Sequence, residues 1–306
     1  MTKLPVFKAI GATLAFILQH GLAVLKIAWL PAVLMCGIYL LIMPPYMNQI
    51  AAMPMDQMAP QQTMSRMLAT LPMMGLLMAA SVLVNLVLIS GLMKLLIRGE
   101  QPRLPFYLSF SADEARLLGG WAVVFLGYCT IGLAFGASLV LSQVLASLGP
   151  GPGGIIGLVA AAVLAGVGVW FGIRVCLVSP ATIELEKIAI RPAWEITEEN
   201  VWRLVGFWLL LVVPMLIVAS LLTPLLTAPG YLEAMSEVYA AARSPTRMQQ
   251  ALHHAYEVQA AGYNLSDGGN VVRLCANALL GVVASVILAI ANGVAWRLMR
   301  ESAEQA

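Results

Sequence analysis

Charge is what this sequence has least of. Aspartate, glutamate, lysine and arginine make up only 10% of its 306 residues, where soluble domains carry about 25%. With 60% of the residues hydrophobic, a soluble fold would expose more apolar surface than water tolerates, and that class is excluded. With a net charge of only +2, nothing suggests a nucleic-acid-binding surface. Cysteine is scarce too: Cys36, Cys129, Cys176 and Cys275 each lie in an apolar segment and none forms a CxxC pair. That pattern argues against a disulfide framework or zinc site and for small buried apolar side chains. No Walker loop, HExxH, GxSxG or dinucleotide fingerprint occurs, so no enzyme activity and no cofactor are expected. The N-terminus lacks a short apolar core followed by a small-residue cleavage site, so a cleavable signal peptide is not expected either.

What is present is apolar sequence in lengths that suit a bilayer. A hydrocarbon core about 30 Å thick takes about 20 apolar residues per helix. Six stretches qualify, at about 22–43, 72–97, 119–148, 155–178, 204–226 and 271–298. The third and fourth are separated only by a Gly/Pro run at 149–154, which predicts a tight turn. The expected fold is therefore all-α and polytopic, a single membrane domain with extracytoplasmic loops at 44–71 and 227–270. Two helices are expected within the second loop, near 231–242 and 246–262.

Basic residues set the expected orientation. Lys3, Lys8, Lys94, Arg98, Arg103, Arg116, Arg174, Lys187, Arg191, Arg203, Arg297 and Arg300 fall on one side. Arg66, Arg243, Arg247 and Arg273 fall on the other, and Lys26 sits near the start of the first span. By the positive-inside rule the first side, with both termini, is cytoplasmic. Trp121, Trp170, Trp194, Trp202, Trp208 and Trp296 lie near span ends, as an aromatic belt requires. Each odd-numbered span follows an amphipathic approach, at 7–20, 106–118 and 188–203. Each even-numbered span ends in a small-to-basic pattern. Three helical hairpins, each with a helix in the cytoplasmic interface, would explain this repeat. Basic flanks on any hairpin that returns to the cytosol would explain it as well.

The segment 174–211 reads RVCLVSPATIELEKIAIRPAWEITEENVWRLVGFWLLL. A basic span end leads to a proline, then to an amphipathic helix with a tryptophan, then to a Trp-Arg-x-x-Gly entry into the next span. In this pattern the segment resembles the bacterial glycerophosphoryl diester phosphodiesterase membrane-domain family and the related YciC-like membrane proteins. The matching positions are Arg174, Pro180, Trp194, Asn200, Trp202, Arg203 and Gly206, while Glu198 and Glu199 replace the usual basic-glycine pair. Members of that family often stand alone, and the catalytic phosphodiesterase, when present, is a separate soluble barrel. A barrel takes about 250 residues of alternating strands and helices, and this chain has no such region. The resemblance implies a membrane module of the bacterial cytoplasmic membrane, without phosphodiesterase activity.

Several residues carry possible chemistry. Ten of the seventeen methionines lie within 43–78, and Met53, Met55, Met58, Met64 and Met67 have MxM and MxxM spacing. Thioethers are soft ligands that favour Cu(I), although methionine also fills gaps between helices. His253 and Glu257 are four apart on a polar helix, with Gln250 and His254 nearby. They suit a metal ligand pair or a solvated face. Asn85, Gln143, Asn277 and Asn292 are polar residues within spans, where they serve either function or interhelical hydrogen bonding. Gly132 with Gly136, and Gly168 with Gly172, have GxxxG spacing, which suits packing of the third span on the fourth or dimerisation. The acidic residues of 184–203 read as the charged outer face of an interfacial helix.

These readings converge on a non-enzymatic module that binds or organises membrane lipid, or that serves as a subunit beside a protein partner in the membrane. The alternative is a transporter or channel for a small or lipidic solute, with a path lined by Asn85, Asn277 and Asn292. A third is Cu(I) binding by the methionine-rich loop.

Overall fold

In a computed structural model, residues 3–52, 60–101, 111–147, 153–241 and 244–304 are described, with backbone only at 60–69, 143–147, 153, 154, 158 and 245. Their secondary structure is entirely helical. The elements are α1 (Val6–Gln19), α2 (Gly21–Ala51), α3 (Pro60–Met93), α4 (Ala112–Ser147), α5 (Gly153–Val175), α6 (Val178–Leu185), α7 (Ile190–Glu198), α8 (Val201–Leu226), α9 (Tyr231–Ala240), α10 (Pro245–Ala261) and α11 (Gly268–Glu304). A π-helical turn, Lys94–Arg98, extends α3. Six helices, α2, α3, α4, α5, α8 and α11, are long and apolar enough to cross a membrane. The protein is an all-α polytopic membrane protein.

The helices run on past the apolar stretches that identify them. At 1.5 Å per residue, the 37 residues of α11 reach about 55 Å, well beyond the hydrocarbon. The segment 44–71 is accordingly largely helix: α2 continues through Pro44 and Pro45 to Ala51, and α3 begins at Pro60. The approach at 106–118 also differs from expectation. Its described part, from Ala112, is the first two turns of α4 and no separate element. The tight turn expected at 149–154 falls mostly on residues outside those described, with α5 starting at Gly153. The paired helices α9 and α10 and the short helices α1 and α7 form where the pattern places them.

One helix organises the bundle. α11 packs on α2, α1, α3 and α8. One core cluster joins α2, α3 and α11 through Ile27, Leu88, Leu92 and Ile290. A second gathers α1, α6, α7, α8 and α11 around Leu4, Ala181, Phe207 and Trp296. At Gly293 a β-carbon would stand 2.9 Å from Leu96, so glycine lets α11 approach the end of α3. Cys36 of α2 and Cys275 of α11 also meet, the Cys36 thiol donating to the Cys275 carbonyl at 3.7 Å. Of the expected hairpins, α2–α3 and α4–α5 are closely packed; α8 touches α11, but the most extensive partner of α11 is α2. The likeness among the three pairs therefore does not extend to their packing.

The α4–α5 hairpin stands at the outside. It leaves side chains such as Leu133, 76% exposed, and Ile155, 68% exposed, on its surface. Lipid can cover such a face at no cost, since acyl tails are as apolar as leucine. The close approaches between α4 and α5 are at Gly127 against Phe171, Gly172 against Tyr128, and Gly157 against Ser142. Gly168 makes only ordinary contact with Ile131, and Gly132 and Gly136 face nothing within 4 Å. Of the four glycines with GxxxG spacing, Gly172 is the one at a close α4–α5 approach. The contact stripe runs through 127, 131 and 142, and residue 132 is turned about 100° and residue 136 about 150° from it.

Candidate functional site

Call the end of the bundle that carries both termini the basic end, and the end that carries α9 and α10 the hairpin end. A buried ionic cluster holds the basic end. Lys94, in the π turn, is almost fully buried and reaches Glu114 at 2.9 Å, Ser111 at 3.0 Å and Asp113 at 3.4 Å. Glu114 also accepts from Ser90 at 2.6 Å and from the Ser111 backbone N–H at 2.7 Å. Arg98 pairs with Asp113 at 2.8 Å and donates to the Ile183 carbonyl at 2.6 Å, which ties α6 to the cluster. The π turn ends at Gly99 in the left-handed region, φ +69°, which glycine adopts without steric cost. Sequence reasoning missed this cluster, because Lys94 and Arg98 read as ordinary basic flanks. The available signal was Ser111-Ala-Asp-Glu114, a capping box that starts a helix.

The family-like segment forms a second set of contacts. Arg174 is buried with its guanidinium 4.4 Å from the Trp194 ring centre and 5.6 Å from that of Trp170. The two tryptophans meet edge to face at 5.2 Å. Asn200 and Arg203 clamp the chain's N-terminal segment: the Leu4 N–H donates to Asn200 Oδ1 at 2.9 Å, and Arg203 donates to the Leu4 carbonyl at 3.1 Å. Pro180 is buried in α6, Trp202 is exposed, and no side chain crowds Gly206. Glu184 of α6 accepts from the Trp296 indole and pairs with Arg300 at 3.3 Å. The acidic residues of this segment are therefore not all on a solvated face.

Between these two sets lies an apolar groove of about 540 Å³ that is open to the bundle surface. α4 contributes Trp121, Val124 and Tyr128; α5 contributes Val169, Gly172 and Ile173; α8 contributes Val205, Trp208, Leu209 and Val212. Asn292 of α11 lies at the lining as well. Trp121 donates to Ser179 at 3.0 Å. Two buried polar atoms on the lining are poorly satisfied: Asn292 Oδ1 has no hydrogen-bond partner among the described residues, and the Trp208 indole N–H has only the Cys176 thiol, a weak acceptor. One is a donor and the other an acceptor. Buried groups of this kind are paired in the great majority of cases. Trp208 is seven residues into α8, about 10 Å along the helix from the basic end.

No family model, curated protein or solved structure matches the chain. The site is therefore read from its own geometry.

The remaining candidates are dispersed. Asn85 donates to the Ser81 carbonyl of its own helix at 2.9 Å. Asn277 donates to the Leu226 carbonyl at 3.0 Å and lines a different cavity at the hairpin end. Asn277 and Asn292 are fifteen residues apart on α11, about 22 Å. None of the described cavities is lined by more than one of the three asparagines. The Gln143 side chain lies outside the described residues, as do Met53, Met55 and Met58 and the side chains of Met64 and Met67. His253 and Glu257 pair with each other at 3.4 Å. Among the described residues no group of three His, Cys, Asp or Glu side chains stands close enough to hold a metal.

Proposed function

We propose that this chain is a non-enzymatic membrane module that holds a lipid or lipid-like amphiphile in the groove between α4, α5 and α8. The observation that carries the reading is a pair of poorly satisfied polar atoms on an otherwise apolar lining: Asn292 Oδ1, without a partner among the described residues, and the Trp208 N–H, which has only the weak Cys176 sulfur. An amphiphile satisfies both kinds of surface at once. Its chain covers the apolar walls, its ester oxygen accepts from Trp208, and a hydroxyl or ammonium donates to Asn292. The basic-residue asymmetry supports a cytoplasmic position for both termini, and with it a groove in the inner leaflet of a bacterial cytoplasmic membrane. The family-like segment supports the same class of module. Separation of the three asparagines speaks against a common solute path.

The test is extraction into polymer nanodiscs followed by mass spectrometry of co-purifying lipids and proteins. The wild-type protein should retain one lipid class above its bulk abundance, and a W208F/N292L variant should lose at least about fivefold of that enrichment. Equal lipid profiles for the two proteins would defeat the proposal. A stoichiometric protein in place of a lipid would reassign the chain as a complex subunit.

A further inference from the structure

The hairpin end holds a second cavity, of about 310 Å³, and its chemistry is the opposite of the groove's. It is bounded by Tyr39 of α2, Tyr231 of α9, Gln259 of α10, Tyr263 just beyond it, and Arg273 and Asn277 of α11. The lining carries a cation and no carboxylate. Arg273 is positioned by neutral groups: its Nε donates to the Gly269 carbonyl at 3.2 Å and its Nη2 to Asn270 Oδ1 at 2.5 Å. The nearest acid, Asp267, stands 4.0 Å from Nη2, is 62% exposed, and caps the Gly269 N–H. Nη1 has no partner among the described residues. The guanidinium is thus fixed in place, and its one ion pair among the described residues is long and solvent-exposed.

The tyrosines settle the sign of the ligand. Three aromatic faces without a cation would suit a quaternary ammonium. With Arg273 on the same wall, a cationic guest is repelled, and the tyrosine hydroxyls act as donors. Burial pushes the Tyr263 hydroxyl above the ordinary tyrosine range, outweighing a hydrogen bond with the Gln259 side chain that lowers it, and Tyr39 and Tyr231 stand close enough to add to the rise. Tyr263 therefore stays protonated at neutral pH. Donors on four elements around one small volume match a tetrahedral oxyanion better than a planar carboxylate, which a bidentate arginine alone would satisfy.

We propose that this cavity binds a phosphate group, either free in solution or on a lipid headgroup, between Arg273 and the hydroxyls of Tyr39, Tyr231 and Tyr263. The site is distinct from the groove and lies at the opposite end of the bundle.

The test uses the purified full chain in phosphate-free maltoside micelles. One arm titrates inorganic phosphate by calorimetry at constant ionic strength. The other adds phosphatidylglycerol to the micelles and counts retained lipid by native mass spectrometry. Two variants, R273Q and the double variant Y39F/Y231F, run in both arms beside the wild type. Binding in the first arm, weakened at least tenfold by both variants, assigns a free phosphate ligand. Binding in the second arm alone, weakened in the same way, assigns a headgroup. Absence of binding in both arms, or equal binding by wild type and variants, overturns the proposal. Arg273 also holds Asn270, so if R273Q does not fold, the double tyrosine variant decides alone, because its hydroxyls make no structural bond among the described residues.

Discussion

Glu114→Ala should unseat the basic end more than any other single substitution in this chain. The carboxylate is 1% exposed and accepts from Lys94, from the Ser90 hydroxyl, and from the backbone and side chain of Ser111. Truncation takes from Lys94, 6% exposed, its shortest ion pair, and the neighbouring Asp113 is already shared with Arg98 and Arg116. Breaking a buried pair by removing one partner costs about 3–5 kcal/mol. Glu114→Gln keeps the shape and most acceptor contacts and loses charge assistance, which gives about 1.5–3 kcal/mol. A K94M/E114L double variant removes both charges together, so it should be less destabilised than the sum of the single substitutions. The assay is reversible unfolding of purified protein in mixed micelles by SDS titration, run as a double-mutant cycle over Lys94 and Glu114. A cost below about 1 kcal/mol for Glu114→Ala, or strict additivity in the cycle, would refute the reasoning.

Two further outcomes follow from local geometry. A β-carbon at Gly157 meets the Ser142 side chain and stands 2.9 Å from its backbone, so Gly157→Ala should cost about 1–3 kcal/mol of hairpin stability by overpacking. Gly136→Ala should stay within about 0.5 kcal/mol; equal effects in the same unfolding assay would count against the observed α4–α5 face. Asn200→Ala leaves the buried Leu4 N–H without its acceptor, a loss of about 1–3 kcal/mol. Hydrogen exchange should then accelerate across α1 and leave α2 unchanged, and unaltered exchange in α1 would remove the clamp from the account.

The sequence by itself determined the class of solvent. Low charge, long apolar runs and their lengths place six helices across a membrane, because the hydrocarbon accepts no unpaired backbone and few ions. The short helices α1 and α7 and the pair α9–α10 were legible too, since each carries its own local pattern. The family-like positions were legible as residues, but not as a clamp on Leu4 or an arginine between two tryptophans. Tertiary structure alone decided the face on which each helix packs. In a soluble protein, hydrophobic periodicity reports that face. In lipid both faces of α4 and α5 are apolar, so Gly132 and Gly157 look alike in sequence while only Gly157 meets a neighbour. The same holds for the sites. Trp121, Trp208 and Asn292 come from three helices, and Tyr39 lies more than 190 residues before Tyr231, Tyr263 and Arg273. No local spacing records such a meeting, because it is fixed by how α11 packs against α2, α3 and α8.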